Sequence, residues 1–259
     1  MGYPPTRGLR GEVVADNVGY LYVTSEGAVS ILRFSIDNVP DPSHVQPEVF
    51  ATVPDKNRFF RGMAISNSLK LLFTAYGREI LGFALHNGAV IKRLDLNDEL
   101  QSCLVQSCFD MSLSSDPLSK LFLVVTSLGG TQLHGTIVDD SIDGTNFVSI
   151  GSNYHGGIGQ IRHCTFDAIG NLICVDSKLR LVHVFAPRKD AEIISFAPPE
   201  EDDNTGEWVA DLKDDTAIKR LYNPSSVAVV FDPFSNRPQP MVVTTDFSMD
   251  SIVMFAPIP

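Results

Sequence analysis

The sequence predicts an all-β fold: a β-propeller with five recognisable blades, either closed as five or belonging to a six- or seven-bladed ring. Three observations lead there. Apolar and polar residues alternate with a period of two in short runs. Tight turns rich in Gly, Asn, Asp and Ser separate the runs. The strand–turn–strand pattern then recurs from Val13, Met63, Phe109, Cys164 and Val227, at spacings of 50, 46, 55 and 63 residues. A period near fifty, built from three or four strands, is the spacing of a propeller blade. A blade of that size cannot bury both faces alone, so neighbouring blades must stack.

The clearest copy runs from Arg162 to Pro187. His163, Thr165 and Asp167 alternate with Cys164, Phe166 and Ala168, which is a strand pattern. Asp167 to Asn171 is a turn, with Gly170 placed to take the positive φ that reverses the chain. Leu172 to Val175 is apolar throughout and reads as a strand buried on both faces. Asp176-Ser177-Lys178 turns again, and Leu179 to Phe185 forms a third strand that Pro187 stops.

In chain order, the first blade spans Gly11 to Val53, with its third strand at Val29–Ile36 and an outer strand at Glu48–Val53. The second spans Phe59 to Leu96, its outer strand being Ala89–Leu96. The third spans Cys108 to Ile150 and ends in a hairpin from Thr136, turned at Asp143-Gly144. The fourth begins at Arg162, with Ala191–Ala197 as its outer strand. The fifth begins near Ser225 and holds three strands. Residues 1–10, MGYPPTRGLR, are a poor fourth strand for it, because Pro4 and Pro5 cannot pair centrally. That stretch also lacks the apolar core of a signal peptide. The whole chain, 1–259, reads as a single propeller domain with an acidic insertion at about 198–221.

The run D-x-x-G-N-L-x-x-V-D-S-x-x-x-x-V-x-V-F, Asp167 through Phe185, resembles a blade of the NHL-repeat propellers and the related gluconolactonase-like propellers. The resemblance implies the architecture. In gluconolactonase-like enzymes a Glu, an Asn and an Asp hold a divalent metal in the central pocket, the Glu within an early E-G-P motif. Here Glu12 precedes Val13 instead, and Asn223-Pro224 matches only the Asn.

Composition narrows the partners. The net charge of −11 and a pI of about 4.9 argue against nucleic acid, whose phosphates need a concentrated positive face. No apolar run approaches the roughly 20 residues of a membrane-spanning helix. Of the four cysteines, Cys164 and Cys174 fall opposite each other across the hairpin. They read as two buried free thiols, with a disulfide as the alternative. Cys103 and Cys108 lack a zinc-ligand spacing. Four cysteines fit a reducing compartment as well as an oxidising one.

No cofactor is expected. Asp139, Ser141 and Asp143, followed by Gly144, form half of a calcium loop, but position twelve is Ile150 where a bidentate Glu belongs. An acidic hairpin tip accounts for the same residues. There is no G-x-S-x-G elbow and no H-E-x-x-H, and the six histidines are scattered singly.

Cations fall in the segments that lead into the inner strands: Arg58 and Arg61, Arg162 and His163, Lys219 and Arg220, with Asn223 beside the last pair. In a propeller these segments converge on one mouth of the channel, where they would focus a field on an anionic ligand or a partner's carboxylate. Pairing with nearby Asp or Glu is the competing account. The acidic insertion carries Trp208, the one tryptophan, either as a solvated excursion packed on a blade edge or as an aromatic anchor for a partner. The expected function is a non-catalytic binding or assembly module for a protein partner or a small anionic ligand. A metal-dependent lactonase or hydrolase and a subunit of a larger assembly are the alternatives.

Overall fold

The structure, a computed structural model, describes residues 11–25, 29–36, 46–52, 55, 59–96, 100, 102–111, 120–138, 147–150, 157–168, 170–188, 195–197, 221, 223–231, 240–248 and 251–255. The regular elements among them are strands. They are β1 (Gly11–Ala15), β2 (Tyr20–Ser25), β3 (Ser30–Ser35), β4 (Glu48–Thr52), β5 (Phe60–Ser66), β6 (Leu71–Tyr76), β7 (Glu79–Ala84) and β8 (Val90–Asp95). Then come β9 (Cys103–Met111), β10 (Lys120–Ser127), β11 (Leu133–Val138), β12 (Val148–Ser149), β13 (Ile161–Phe166), β14 (Leu172–Asp176), β15 (Leu181–Arg188) and β16 (Ser195–Ala197). β17 (Pro224–Phe231), β18 (Pro240–Asp246) and β19 (Ser251–Phe255) complete the set. Among the described residues no helix is long and apolar enough to cross a membrane.

The strands follow the expected repeat. β1 to β4 and β13 to β16 each form a four-stranded sheet in sequence order, and β17 to β19 form a three-stranded one. β5 to β12 share one sheet, ordered β12-β11-β10-β9-β5-β6-β7-β8. In the middle of that sheet the inner strands β5 and β9 pair in parallel at Gly62 and Val105. Gly62 has φ +68°, and a Cβ there would lie 2.0 Å from the Val105 carbonyl oxygen, so only glycine permits the approach. As expected for strands enclosed by neighbours, β6 and β14 are buried along their whole length.

The chain divides into two compact units. One comprises Met1–Leu123 with Ile137–Asn146, the other Val124–Thr136 with Phe147–Pro259. The core of the first unit gathers Tyr22, Phe50, Phe60, Met63, Leu72 and Phe83. Tyr22 meets Phe50 edge-on at 4.9 Å, and Phe60 meets Phe83 the same way at 5.8 Å, the favoured geometry for aromatic quadrupoles. Arg33 lies over the Tyr20 ring at 4.6 Å and donates to the Leu85 carbonyl at 3.0 Å. The core of the second unit gathers Ile173, Val175, Val182, Leu221, Val227 and Val242.

Two expectations need correction. Cys164 and Cys174 are not free thiols: they are disulfide-bonded. The register places them directly opposite each other on β13 and β14, with Cα atoms 4.1 Å apart, which is what brings the two sulfurs together. Cys103 and Cys108 are free. The inner strand of the third blade starts at Cys103 and not near Cys108. Cys103, Val105 and Gln106 are buried inside that strand, ahead of the expected start. The outer strand of the fourth blade is described over Ser195–Ala197, within the expected range, and residues 191–194 lie outside the described residues.

Candidate functional site

β14 ends on Asp176, whose side chain is buried in the second unit. Its Oδ1 accepts the backbone N–H groups of Gln160, Lys178 and Leu179 at 2.9, 2.9 and 2.8 Å. Its Oδ2 accepts the Gly159 N–H at 2.6 Å and faces His183 Nε2 at 3.2 Å. Burial works to raise the Asp176 pKa. The hydrogen bonds from His183, Leu179, Gln160 and Gly159 outweigh it and hold the carboxyl well below the usual carboxylate range. The carboxylate therefore ties the segment leading into β13 to the β14–β15 turn. Ser177 N–H reinforces the tie by donating to the Gln160 carbonyl at 2.9 Å.

The last blade repeats the device. Asp246 ends β18, is buried, and accepts the Asn223 N–H on both oxygens at 3.2 Å and the Ser248 N–H at 3.0 Å. Phe247 N–H returns to the Asn223 carbonyl at 3.1 Å. In both blades an aspartate at the end of the second strand holds the lead-in to the inner strand.

On this framework the predicted residues can be placed. Arg162 is half-buried and donates through Nε to Ser177 Oγ at 3.0 Å. In the first unit Arg61 is half-buried and donates through Nη1 to Ser102 Oγ at 2.9 Å. Among the described residues neither arginine is paired with a carboxylate; each is steadied by a neutral hydroxyl. Both stand beside a register irregularity in their strands, between Arg61 and Ala64 and between Ile161 and His163. His163 turns its Nδ1 onto the Val227 backbone, 3.0 Å from the carbonyl oxygen and 3.3 Å from the N–H. Burial lowers its pKa, so the ring is neutral at pH 7 and joins β13 to β17 without adding charge. Asn223 takes part through its backbone, as described above. Arg58, Lys219, Arg220, Trp208 and the calcium candidates Asp139, Ser141 and Asp143 lie outside the described residues.

Large apolar side chains at the turns of the second unit were not anticipated. Leu128 in the β10–β11 turn is 50% exposed, Leu179 in the β14–β15 turn 37%, and Phe247 after β18 76%. The β10–β11 and β14–β15 turns border the β13 lead-in: Ile161 N–H donates to the Gly130 carbonyl at 2.8 Å, and a Cβ on Gly159 would sit 2.8 Å from Leu179 Cγ. The sequence held a signal for this. Each is a lone large apolar residue inside a short polar turn: Ser127-Leu128-Gly129, Lys178-Leu179-Arg180, Asp246-Phe247-Ser248.

The site offers fixed cations, exposed apolar tips and a rigid backbone. Both oxygens of Asp176 are already engaged by hydrogen bonds. Among the described residues no group of three or more His, Cys, Asp or Glu side chains is arranged to hold a metal ion.

No protein-family model matches the chain, and no curated protein is similar to it in sequence. Similarity appears in three dimensions. The β-propeller domain of Cps50 (Swd1) from Myceliophteria thermophila superposes with a TM-score of 0.53 at 10% identity, covering 93% of this chain and 66% of that one. The WD40 domain of SCAP from fission yeast gives 0.51 at 11% identity, covering 95% of this chain and 69% of that one. A Bacteroides uniformis protein assigned as a 6-phosphogluconolactonase gives 0.50 at 12% identity, covering 94% of this chain and 65% of that one. The chain thus spans roughly two thirds of the length of these structures. At such identities the likeness speaks to the fold alone. The fold is a β-propeller.

Proposed function

We propose that this propeller is a non-catalytic recognition module that binds a protein partner at the end of the second unit where the inner strands begin. One observation carries the reading. Arg162 is steadied by Ser177 within a segment that Asp176 clamps, and its charge is not neutralised by a carboxylate among the described residues. A guanidinium held by a neutral donor–acceptor group keeps its full charge and little of its rotamer freedom. It is therefore preorganised for a carboxylate on a partner. In a chain of net charge −11 such a cation acts locally rather than as part of a general positive field.

The blade that supplies this site, Asp167 to Phe185 with its lead-in, is the one that resembles an NHL repeat. Protein recognition is also in keeping with the fission yeast SCAP domain, which is known in a complex of SREBP–SCAP binding domains. Arg61, held the same way by Ser102, is proposed as a second contact belonging to the first unit.

The test is comparative cross-linking in extract from the source cells with the wild-type chain, Arg162→Ala and Trp208→Ala. A partner captured by the wild type and by Trp208→Ala but lost with Arg162→Ala supports the reading, and about 0.5 M salt should mimic the loss by screening. Capture that survives Arg162→Ala and fails with Trp208→Ala would move recognition to the acidic insertion. Turnover of a lactone or ester by the purified chain, together with stoichiometric metal, would replace the reading with an enzymatic one.

A further inference from the structure

We infer that the partner presents an acidic linear segment that also carries large apolar side chains, seated on the turns of the second unit around Arg162. The inference rests on the proposal that this end of the unit recognises protein, and it names the chemistry of what is recognised.

The apolar tips recur by position. Leu128, Leu179 and Phe247 stand in turns that lead from the second to the third strand of successive blades. Such a turn has no core to fill, and a polar residue would serve the chain reversal as well. Single exposed apolar residues are ordinary; their recurrence at the same turn of successive blades is not. The backbone under them is held by hydrogen bonds. Leu179 N–H donates to Asp176 at 2.8 Å, Phe247 N–H donates to the Asn223 carbonyl at 3.1 Å, and the carbonyl of Gly130, two residues past Leu128, accepts the Ile161 N–H at 2.8 Å. These tips are therefore presented without much loss of freedom on binding.

The cations add charge complementarity. Lys178 is exposed next to Leu179, and Arg162 is held by Ser177 from the same turn. Asp176, at the start of the same turn, and Asp246, its counterpart in the last blade, are buried and engaged with backbone N–H groups, so they are not presented as surface carboxylates competing for the cations. Cations interleaved with apolar tips fit a peptide in which Asp or Glu alternates with Leu, Phe or similar residues. A nucleic acid would satisfy the cations but bring no matching side chains for Leu128 and Leu179, and the chain's net charge opposes a long polyanion.

The experiment selects binders from a displayed library of random linear peptides against the full chain, then measures the enriched peptides by fluorescence anisotropy. The proteins compared are wild type, Arg162→Ala and the double variant Leu179→Ser/Phe247→Ser, each checked for an unchanged melting temperature. Enriched peptides should combine acidic and large apolar residues. Their affinity should fall about tenfold or more with Arg162→Ala and about fivefold or more with the double variant. Peptides that are acidic without apolar enrichment, bound equally by the double variant, would overturn this inference and leave the Arg162 reading standing. Failure to enrich any peptide, or binding indifferent to Arg162→Ala, would overturn both. Should the double variant melt lower, Leu179→Gln alone takes its place, with the same outcomes.

Discussion

Asp16 and Asp167 close the same turn in two different blades. Asp167 accepts the Asn171 N–H at 2.8 Å and Asp16 accepts the Tyr20 N–H at 2.9 Å, each through Oδ1. In both turns the aspartate's own N–H donates to the residue four places on, at 3.0 Å. Gly170 and Gly19 stand at the matching position with φ of 91° and 93°. The aspartate side chain thus replaces a strand hydrogen bond while glycine supplies the backbone angle that other residues resist.

Gly170→Val should therefore destabilise the chain by roughly 1–3 kcal/mol, and Gly19→Val by a similar amount. Chemical denaturation monitored by fluorescence reads both. An unchanged midpoint for either variant would mean that its turn does not need the positive φ.

Asp176→Asn should cost about 3 kcal/mol, because an amide keeps one acceptor oxygen and sets an NH2 donor against the donors that converge on the other. The pH dependence has a definite sign. The folded pKa is depressed below the unfolded value of about 3.9, so the contribution is present above that value and is lost as pH falls further. Melting curves for wild type and Asp176→Asn should converge on acidification below about pH 4. A constant gap between them down to the lowest workable pH would contradict the assignment.

Glu12 behaves in the opposite way. Burial raises its pKa to about 7, against the weaker opposing effect of the Met63 N–H, which donates to Oε2 at 2.7 Å. A raised folded pKa means that the stabilisation is present below the unfolded value and is lost as pH rises toward 7. Glu12→Gln can still accept the Met63 N–H but cannot ionise. It should remove the fall in melting temperature between about pH 4.5 and 7 that the wild type shows. Identical pH profiles for the two proteins would contradict this.

The thiols can be counted. Alkylation of the denatured, unreduced chain should modify two of its four cysteines, Cys103 and Cys108, and reduction should release the other two. The double variant Cys164→Ala/Cys174→Ala should lose about 2–3 kcal/mol by the loop-entropy argument. Four reactive thiols before reduction would refute the Cys164–Cys174 bond.

Much of this fold was legible because it repeats. The five apolar–turn–apolar copies fall on the sheets, Gly170 has its expected positive φ, and Cys164 faces Cys174 as the hairpin spacing required. What escaped depends on three-dimensional neighbours. Whether two facing cysteines bond is not a property of a period-two pattern, and β9 begins at Cys103, ahead of the expected start, with Gln106 buried inside it. Asp176 looked like an ordinary turn residue; its role appears only when Gly159 and Gln160 arrive from the preceding segment. The apolar tips were harder to read: Leu128, Leu179 and Phe247 stand between polar or glycine neighbours, but Leu179 reads as the start of a strand, and the exposure of all three appears only in the structure.

Amide hydrogen exchange on the chain with and without a captured partner or enriched peptide tests the central claim most directly. The account predicts added protection at residues 159–162, 177–180 and 246–248, the lead-in and turns that Asp176 and Asp246 tie together. Protection confined to residues 198–221, with those three segments unchanged, would contradict it.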